Sequence, residues 1–310
     1  RKSRARNGGT KSEISNRRQD RQNLAFLAMP PEKPISLAMD RAEPVGFRSW
    51  LRVPWECFAM GVCILYWGVF GSLLTLIGGP LHALLPKQTG ERLGRRFLHY
   101  LFRWFVALLR VLGLVKVDSS ALQDLAKSKE PLIIAPNHIA LWDAVFIIAR
   151  MPRAVCVMKK SILRNPVLGG GARLAGYIAN EGTTRMIRDA AHSLTSGGQL
   201  LLFPEGTRTK TGERWINPLK GGCAIIALRA KVPVHPVFIR SNTRFLEKGW
   251  PVWKRPVFPL RISLETGAPL IPGETETPQE FTKRLEAVFE KELSKAHPLR
   301  RKIEAKKDHS

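Results

Sequence analysis

The sequence predicts an α/β fold: a mixed, largely parallel sheet flanked by helices, with an N-terminal membrane-associated helical segment. Three observations carry this. From about residue 116, short apolar runs alternate with stretches of helical periodicity. Between Cys57 and Pro86, 30 residues contain no Asp, Glu, Lys or Arg. The 310-residue chain is 44% hydrophobic and 24% charged, which excludes a wholly disordered polymer and leaves enough apolar material for a sizeable core.

Charge narrows the partners. Fifty Lys and Arg stand against 25 Asp and Glu, a formal net charge of +25. Such a balance calls for an anionic partner: nucleic acid, an anionic membrane surface, or an acidic protein or substrate. The four cysteines, Cys57, Cys63, Cys156 and Cys223, form no Cys-x-x-Cys pair, and no histidine cluster stands at zinc-ligand spacing. Reduced thiols fit best, with neither a disulfide framework nor a metal site. The chain starts at Arg1 rather than Met, so a removed leader stays open.

Residues 1–49 are basic and polar. Arg1, Lys2, Arg4, Arg6, Lys11, Arg17, Arg18 and Arg21 crowd the start, and Pro30, Pro31 and Pro34 oppose helix formation. The segment reads as a disordered, solvated tail, or functionally as an arm drawn to anionic lipid.

Residues 50–115 form the expected membrane-associated region. A straight span needs ~20 apolar residues, which the uncharged stretch exceeds. Gly78-Gly79-Pro80 interrupts it, so a single span and a re-entrant hairpin bending there are both open. Trp50, Trp55, Tyr66 and Trp67 suit an interface. Basic residues flank both sides (Arg48 and Arg52 before, Lys87, Arg92, Arg95 and Arg96 after), so the positive-inside rule sets no orientation. Residues 91–115 read as a basic amphipathic helix in which Arg92, Arg95, Arg96, Arg103 and Arg110 interleave with Phe97, Leu98, Leu101, Phe102, Phe105 and Leu109. It suits a headgroup boundary or a core-packed position equally.

The α/β domain is assigned to residues 116–298. Strands are expected at Leu132–Ala135, Ala154–Met158, Leu200–Phe203, Val234–Ile239 and Leu260–Leu264. Helices are expected at Asp143–Arg150, Thr184–Thr195 and Gly221–Ala230, with a last one marked by Phe281, Leu285, Val288, Phe289 and Leu293. Residues 299–310 are a charged, frayed tail. Gly169-Gly170-Gly171 lacks the Gly-Lys-Ser/Thr ending of a phosphate loop and reads as a tight turn.

Two constellations offer chemistry. Pro136-Asn137-His138-Ile139-Ala140-Leu141-Trp142-Asp143 leaves an apolar strand. A histidine followed five residues later by an aspartate can serve as a base and its orienter, because an imidazole needs a partner on its second nitrogen to fix the tautomer. Phe203-Pro204-Glu205-Gly206-Thr207-Arg208 also leaves an apolar strand. Its glycine lets backbone approach a ligand, and its arginine presents a planar fork suited to phosphate or carboxylate. Each alone is better explained by a structural histidine or a surface ion pair. His82, His99 and His235 have no evident carboxylate partner and read as structural or interfacial.

Together, about 65 residues apart and in this order, the constellations resemble those of the glycerolipid acyltransferases that acylate lysophosphatidate or related lysophospholipids. Asn137-His138 with Asp143 resembles the family's His-x4-Asp block, and Phe203 to Arg208 its Glu-Gly-Thr-Arg block. Val232-Pro233-Val234-His235-Pro236-Val237 resembles its proline-containing strand block, and Lys220-Gly221 before a helix fits the spacing. The resemblance spans roughly residues 115–270. It implies that His138 deprotonates an acceptor hydroxyl as that hydroxyl attacks an acyl thioester, with Asp143 orienting the ring. It implies that Glu205, Gly206, Thr207 and Arg208 position the acceptor headgroup, with Asn137 beside them. The donor would be acyl-carrier protein or acyl-coenzyme A, without a metal or organic cofactor. The partners would be membrane lipids and a lysolipid acceptor, at the cytoplasmic face of the inner membrane if the source is bacterial.

Two departures stand out. Ala140 occupies a position where the family often has serine, and Gly182 stands where the second block normally carries arginine. Arg185, three residues on, is the expected substitute. A different acceptor, such as a lysophospholipid or a lyso-ornithine lipid, is therefore the alternative reading. A nucleic-acid-binding protein fits the charge but shows no RNA-recognition or zinc-finger pattern and leaves the uncharged stretch unexplained, so nucleic acid is not expected as a partner. A non-catalytic scaffold would have no need of His138, Asp143, Glu205 and Arg208 together.

Overall fold

The computed structural model describes residues 47–167, 169–181, 184–210, 214–243, 245–250 and 256–299. The expected tail over 1–49 falls almost wholly outside the described residues, as do Gly182 and all but one residue of the expected tail at 299–310.

The described chain opens with an antiparallel helical hairpin. α1 runs from Phe47 to Leu84, and α2 from Lys87 to Val111. Tyr66 Oη donates to the Leu101 carbonyl at 2.7 Å, and Trp55 Nε1 to the Leu112 carbonyl at 3.2 Å. Of the two readings left open at Gly78-Gly79-Pro80, the bend is absent. α1 continues through all three residues, and the chain reverses at Leu85-Pro86. α2 starts four residues earlier and ends four earlier than its periodicity suggested.

A seven-stranded sheet follows. Its strands are β1 (Val115–Asp118), β2 (Leu132–Pro136), β3 (Ala154–Lys159), β4 (Ile178–Asn180), β5 (Gln199–Leu201), β6 (Val234–Ser241) and β7 (Leu260–Thr266). The spatial order is β1-β7-β6-β2-β5-β3-β4. Every pairing is parallel except β6 with β7. The five expected strands are present, though β5 ends two residues earlier and β6 runs two further than expected. β1 and β4 were missed.

The helices between are α3 (Gln123–Lys127), α4 (Asp143–Ile148), α5 (Lys160–Leu163), α6 (Gly169–Leu174), α7 (Thr184–Thr195), α8 (Gly222–Ala230) and α9 (Pro278–Ser294). α9 has a complete capping box: Thr277 Oγ1 accepts from the Glu280 amide while the Glu280 carboxylate accepts from the Thr277 amide. This fixes where the helix begins. Phe289 of α9 then packs edge-on against Phe238 of β6, centroids 5.4 Å apart.

β2 is buried along its whole length, as a central parallel strand must be, and is apolar throughout for that reason. The Gly169-Gly170-Gly171 run is not a tight turn but the first turn of α6, wedged against the hairpin. A Cβ on Gly170 would come 2.4 Å from Thr75 Cα, and one on Gly94 of α2 2.4 Å from the Ala175 amide nitrogen. Gly78 faces the same crossing, where a Cβ would come 3.1 Å from the Gly170 carbonyl oxygen. These glycines permit backbone contact between helices, which is why Gly78 does not end α1.

Candidate active site

Adjacent strand ends bring the two constellations together. β2 and β5 are parallel neighbours, with Ile134 opposite Leu201. Asn137 and His138 leave the C-terminal end of β2, and Phe203 to Arg208 leaves the C-terminal end of β5. In open α/β sheets this is the end where ligands bind.

His138 lies at the centre. Its Nδ1 is 2.9 Å from Asp143 Oδ2. The same oxygen accepts the Ala140 amide at 2.8 Å, so the His-x4-Asp loop closes on its own carboxylate. Asp143 is the first residue of α4, as the sequence suggested. A buried carboxylate facing Nδ1 accepts a hydrogen bond from Nδ1–H, which in the neutral ring puts the lone pair on Nε2. Burial raises the Asp143 carboxyl above its usual range, and the His138 hydrogen bond and charge and the backbone amides of Ala140 and Ile139 pull it back down. The His138 ring stacks on Phe203, centroids 4.0 Å apart, and keeps one face partly open at 18% side-chain exposure.

Glu205 and Asn137, expected at the substrate, are turned into the protein. Glu205 is 1% exposed. Its Oε1 accepts the His138 amide at 2.8 Å and the Thr209 hydroxyl at 2.7 Å, and its Oε2 accepts the Asn217 amide at 2.9 Å. Burial raises this carboxyl too, opposed by those same donors. The Thr209 amide donates to the His138 carbonyl, a second tie between the two motifs. Asn137 bridges to β6, donating to the Ile239 carbonyl at 3.0 Å and accepting the Ile239 amide at 2.7 Å. Both side chains thus fix the backbone that presents His138.

Gly206 (φ +67°) closes the turn, its amide donating to the Phe203 carbonyl at 3.0 Å. Thr207 and Arg208 follow, half-buried. Arg208 Nη1 donates to the carbonyls of Leu246 and Glu247 at 2.8 and 3.1 Å. Among the described residues its Nε and Nη2 have no protein partner. Arg185 sits apart from this cluster of contacts, exposed on α7, with its Nε 3.6 Å from Asp189 Oδ2.

Sequence reasoning passed over Lys220 as a site residue. Its amide donates to the Pro204 carbonyl at 2.9 Å, and its side chain lies across Gly206, where a Cβ would come about 3 Å from Cδ, Cε and Nζ. The Lys-Gly spacing was the available signal. His99, read as structural, is buried with Nδ1 2.9 Å from the Ile148 carbonyl oxygen. Among the described residues, no group of His, Cys, Asp and Glu is arranged to hold a metal ion.

A family profile described as Acyltransferase matches residues 116–240, which contain both motifs and their strands. Over those residues the chain is similar to the acyltransferase family. One relative is a chloroplastic 1-acyl-sn-glycerol-3-phosphate acyltransferase of Brassica napus, 24% identical over 51% of this chain and 47% of that one. Another is the 1-acyl-sn-glycerol-3-phosphate acyltransferase of Saccharomyces cerevisiae, 26% identical over 70% of this chain and 68% of that one. The chain thus spans about half the length of the first and two thirds of the second. Among solved structures, that of the 1-acyl-sn-glycerophosphate acyltransferase PlsC from Thermotoga maritima superposes with a TM-score of 0.57 at 19% identity, covering 79% of this chain and 95% of that one. That likeness is one of fold: it matches the mixed, largely parallel sheet flanked by helices.

Proposed function

We propose that the protein is a membrane-associated 1-acylglycerol-3-phosphate O-acyltransferase that moves a fatty acyl group from a thioester to the free hydroxyl of a lysophosphatidate. The observation that carries the chemistry is the His138–Asp143 pair, held by Glu205 at the end of β2. His138 Nε2 takes the acceptor hydroxyl proton as that oxygen attacks the thioester carbonyl. The tetrahedral adduct collapses, the C–S bond breaks, and the proton passes from His138 to the departing thiolate. Asp143 stabilises the intervening imidazolium. Base catalysis of this kind contributes ~10²–10⁴-fold. The donor is acyl-carrier protein or acyl-coenzyme A, both polyanionic and suited to a basic chain.

The acceptor phosphate is assigned to the free N–H groups of Arg208, with Lys220 as a second cation. A phosphomonoester dianion favours two positive partners. Arg185 is a poor candidate because, among the described residues, it makes no contact with the His138 and Arg208 segments, and Lys160 because Glu181 lies 2.7 Å away. A charge-assisted hydrogen bond contributes ~1.5–3 kcal/mol. Arg208→Ala should therefore raise the KM for lysophosphatidate about 10–100-fold with the donor KM unchanged. A radiolabelled transfer assay in lipid checks this, offering lysophosphatidate, a zwitterionic lysophospholipid and a lyso-ornithine lipid with each donor. Preference for either other lipid would assign the site to that acceptor instead.

Membrane attachment is assigned to the hairpin. Outward-facing Phe58, Ile64, Leu65 and Leu73 of α1 and Phe97, Tyr100 and Trp104 of α2 form an apolar surface beside exposed Arg96 and Arg103. α1 is tied to the folded domain near both ends: Arg52 donates to the Phe258 carbonyl, and Thr75 Oγ1 to the Val167 carbonyl at 2.7 Å. Those residues are ~35 Å apart along a helix, more than the ~30 Å hydrocarbon core. A perpendicular span would draw the sheet domain into the bilayer, so the hairpin lies along one leaflet. In a variant with the native cysteines replaced, single cysteines at positions 52 and 87 should react with an impermeant maleimide from the same side of a sealed vesicle. Labelling from opposite sides would establish a span.

A further inference from the structure

Leu246 is a leucine in the left-handed backbone region, with φ +62°. A side chain disfavours this conformation, which persists only where surroundings impose it. Here the neighbours on both sides are fixed. Phe245 is buried and packs edge-on against Trp142, centroids 5.4 Å apart, and Trp142 directly precedes Asp143. The Leu246 carbonyl accepts the Leu141 amide at 3.2 Å and Arg208 Nη1 at 2.8 Å, and the Glu247 carbonyl accepts the same Nη1 at 3.1 Å. With Phe245 anchored, the torsions of Leu246 decide where its carbonyl points.

That carbonyl holds one corner of the Arg208 guanidinium. A planar guanidinium pinned at Nη1 has a set direction for its other edge, Nε and Nη2. Those are the N–H groups without a protein partner among the described residues. The same loop touches Leu141 and Trp142, but His138 itself is held by Asp143 and Glu205, so a change at Leu246 bears on Arg208 and not on the base.

We infer that Leu246 is a positioning residue for acceptor recognition: its left-handed backbone aims the carbonyl that orients Arg208 toward the acceptor headgroup. This rests on the reading of Arg208 as the headgroup ligand. The side chain of Leu246 is not what matters; its backbone conformation is. Glycine and asparagine adopt the left-handed region readily, whereas β-branched residues resist it.

The test is steady-state kinetics of the full chain in phosphatidylglycerol-containing vesicles, with lysophosphatidate as acceptor and whichever thioester the wild type uses. Leu246→Val and Leu246→Thr should each raise the acceptor KM about tenfold, with the donor KM unchanged and kcat within about threefold. Leu246→Gly and Leu246→Asn should restore the acceptor KM to within about threefold of the wild type, although they remove more apolar surface than valine does. A thermal melt of each variant identifies any loss of fold. If the β-branched variants do not fold, the prediction falls on the other pair: a tenfold rise in acceptor KM for glycine and asparagine would overturn the inference. So would folded β-branched variants with an unchanged acceptor KM, or with donor and acceptor KM raised together. If Arg208→Ala raises the acceptor KM and the Leu246 series does not, this inference fails alone. If the wild type transfers to no acceptor, or Arg208→Ala leaves the acceptor KM unchanged, the reading of Arg208 fails and takes this one with it.

Discussion

His138→Ala should lower kcat by ~10²–10⁴-fold in an enzyme that still folds and still floats with vesicles. The expectation follows from geometry around one ring. Nδ1 faces Asp143 at 2.9 Å, one ring face lies on Phe203, and part of the ring stays open. Only Nε2 is left to accept a proton from solvent or substrate. Asp143→Asn tests the second half of the pair. It keeps the side-chain shape but removes the charge that stabilises the imidazolium, so kcat should fall steeply while both KM values hold. The two residues act as one unit, and groups that do so lose activity non-additively. The double variant should therefore be no slower than His138→Ala within a factor of about three. Losses that multiply would mean that Asp143 contributes independently of the ring. Substantial turnover by His138→Ala would remove the base altogether.

The sequence announced the two motifs because each leaves an apolar strand, and buried parallel strands are apolar on both faces. β2 and β5 were visible for that reason. β1 and β4 were not. Val115–Asp118 alternates exposed and less exposed residues at a sheet edge, and Ile178–Asn180 spans three residues with no apolar run. A bend at Gly78-Gly79-Pro80 stayed open because Gly-Gly-Pro is ordinarily a breaker, and nothing local discloses that Gly78 faces another glycine 92 positions away. The site's chemistry was legible and its scaffolding was not. Glu205 looks like a ligand in a Glu-Gly-Thr-Arg run. Its partners at His138 and Asn217 come from the fold, and so do the Leu246 and Glu247 carbonyls that hold Arg208. Nor does a leucine in sequence signal a positive φ. Within the four residues, Glu205 is turned inward and Arg208 keeps Nε and Nη2 without a protein partner among the described residues.

Glu205 is where that division is most open to experiment. Its carboxylate is buried and accepts three donors: the His138 amide, the Thr209 hydroxyl and the Asn217 amide. Leaving a buried donor unsatisfied costs ~1–3 kcal/mol. Glu205→Ala strands up to three and should destabilise the protein by ~3 kcal/mol, lowering Tm by about 5 °C for a chain of this size. Glu205→Gln is more discriminating. Its one oxygen can still serve His138 and Thr209, but its amide nitrogen then meets the Asn217 amide, donor against donor. A scaffold role predicts a lower Tm and a lower kcat for Glu205→Gln, because the backbone of His138 is displaced, with the lysophosphatidate KM little changed. Direct contact with the acceptor predicts the reverse: a wild-type melt and a raised acceptor KM. Three donors on one buried carboxylate favour the first outcome, and place Glu205 with the base it supports rather than with the headgroup it resembles a ligand for.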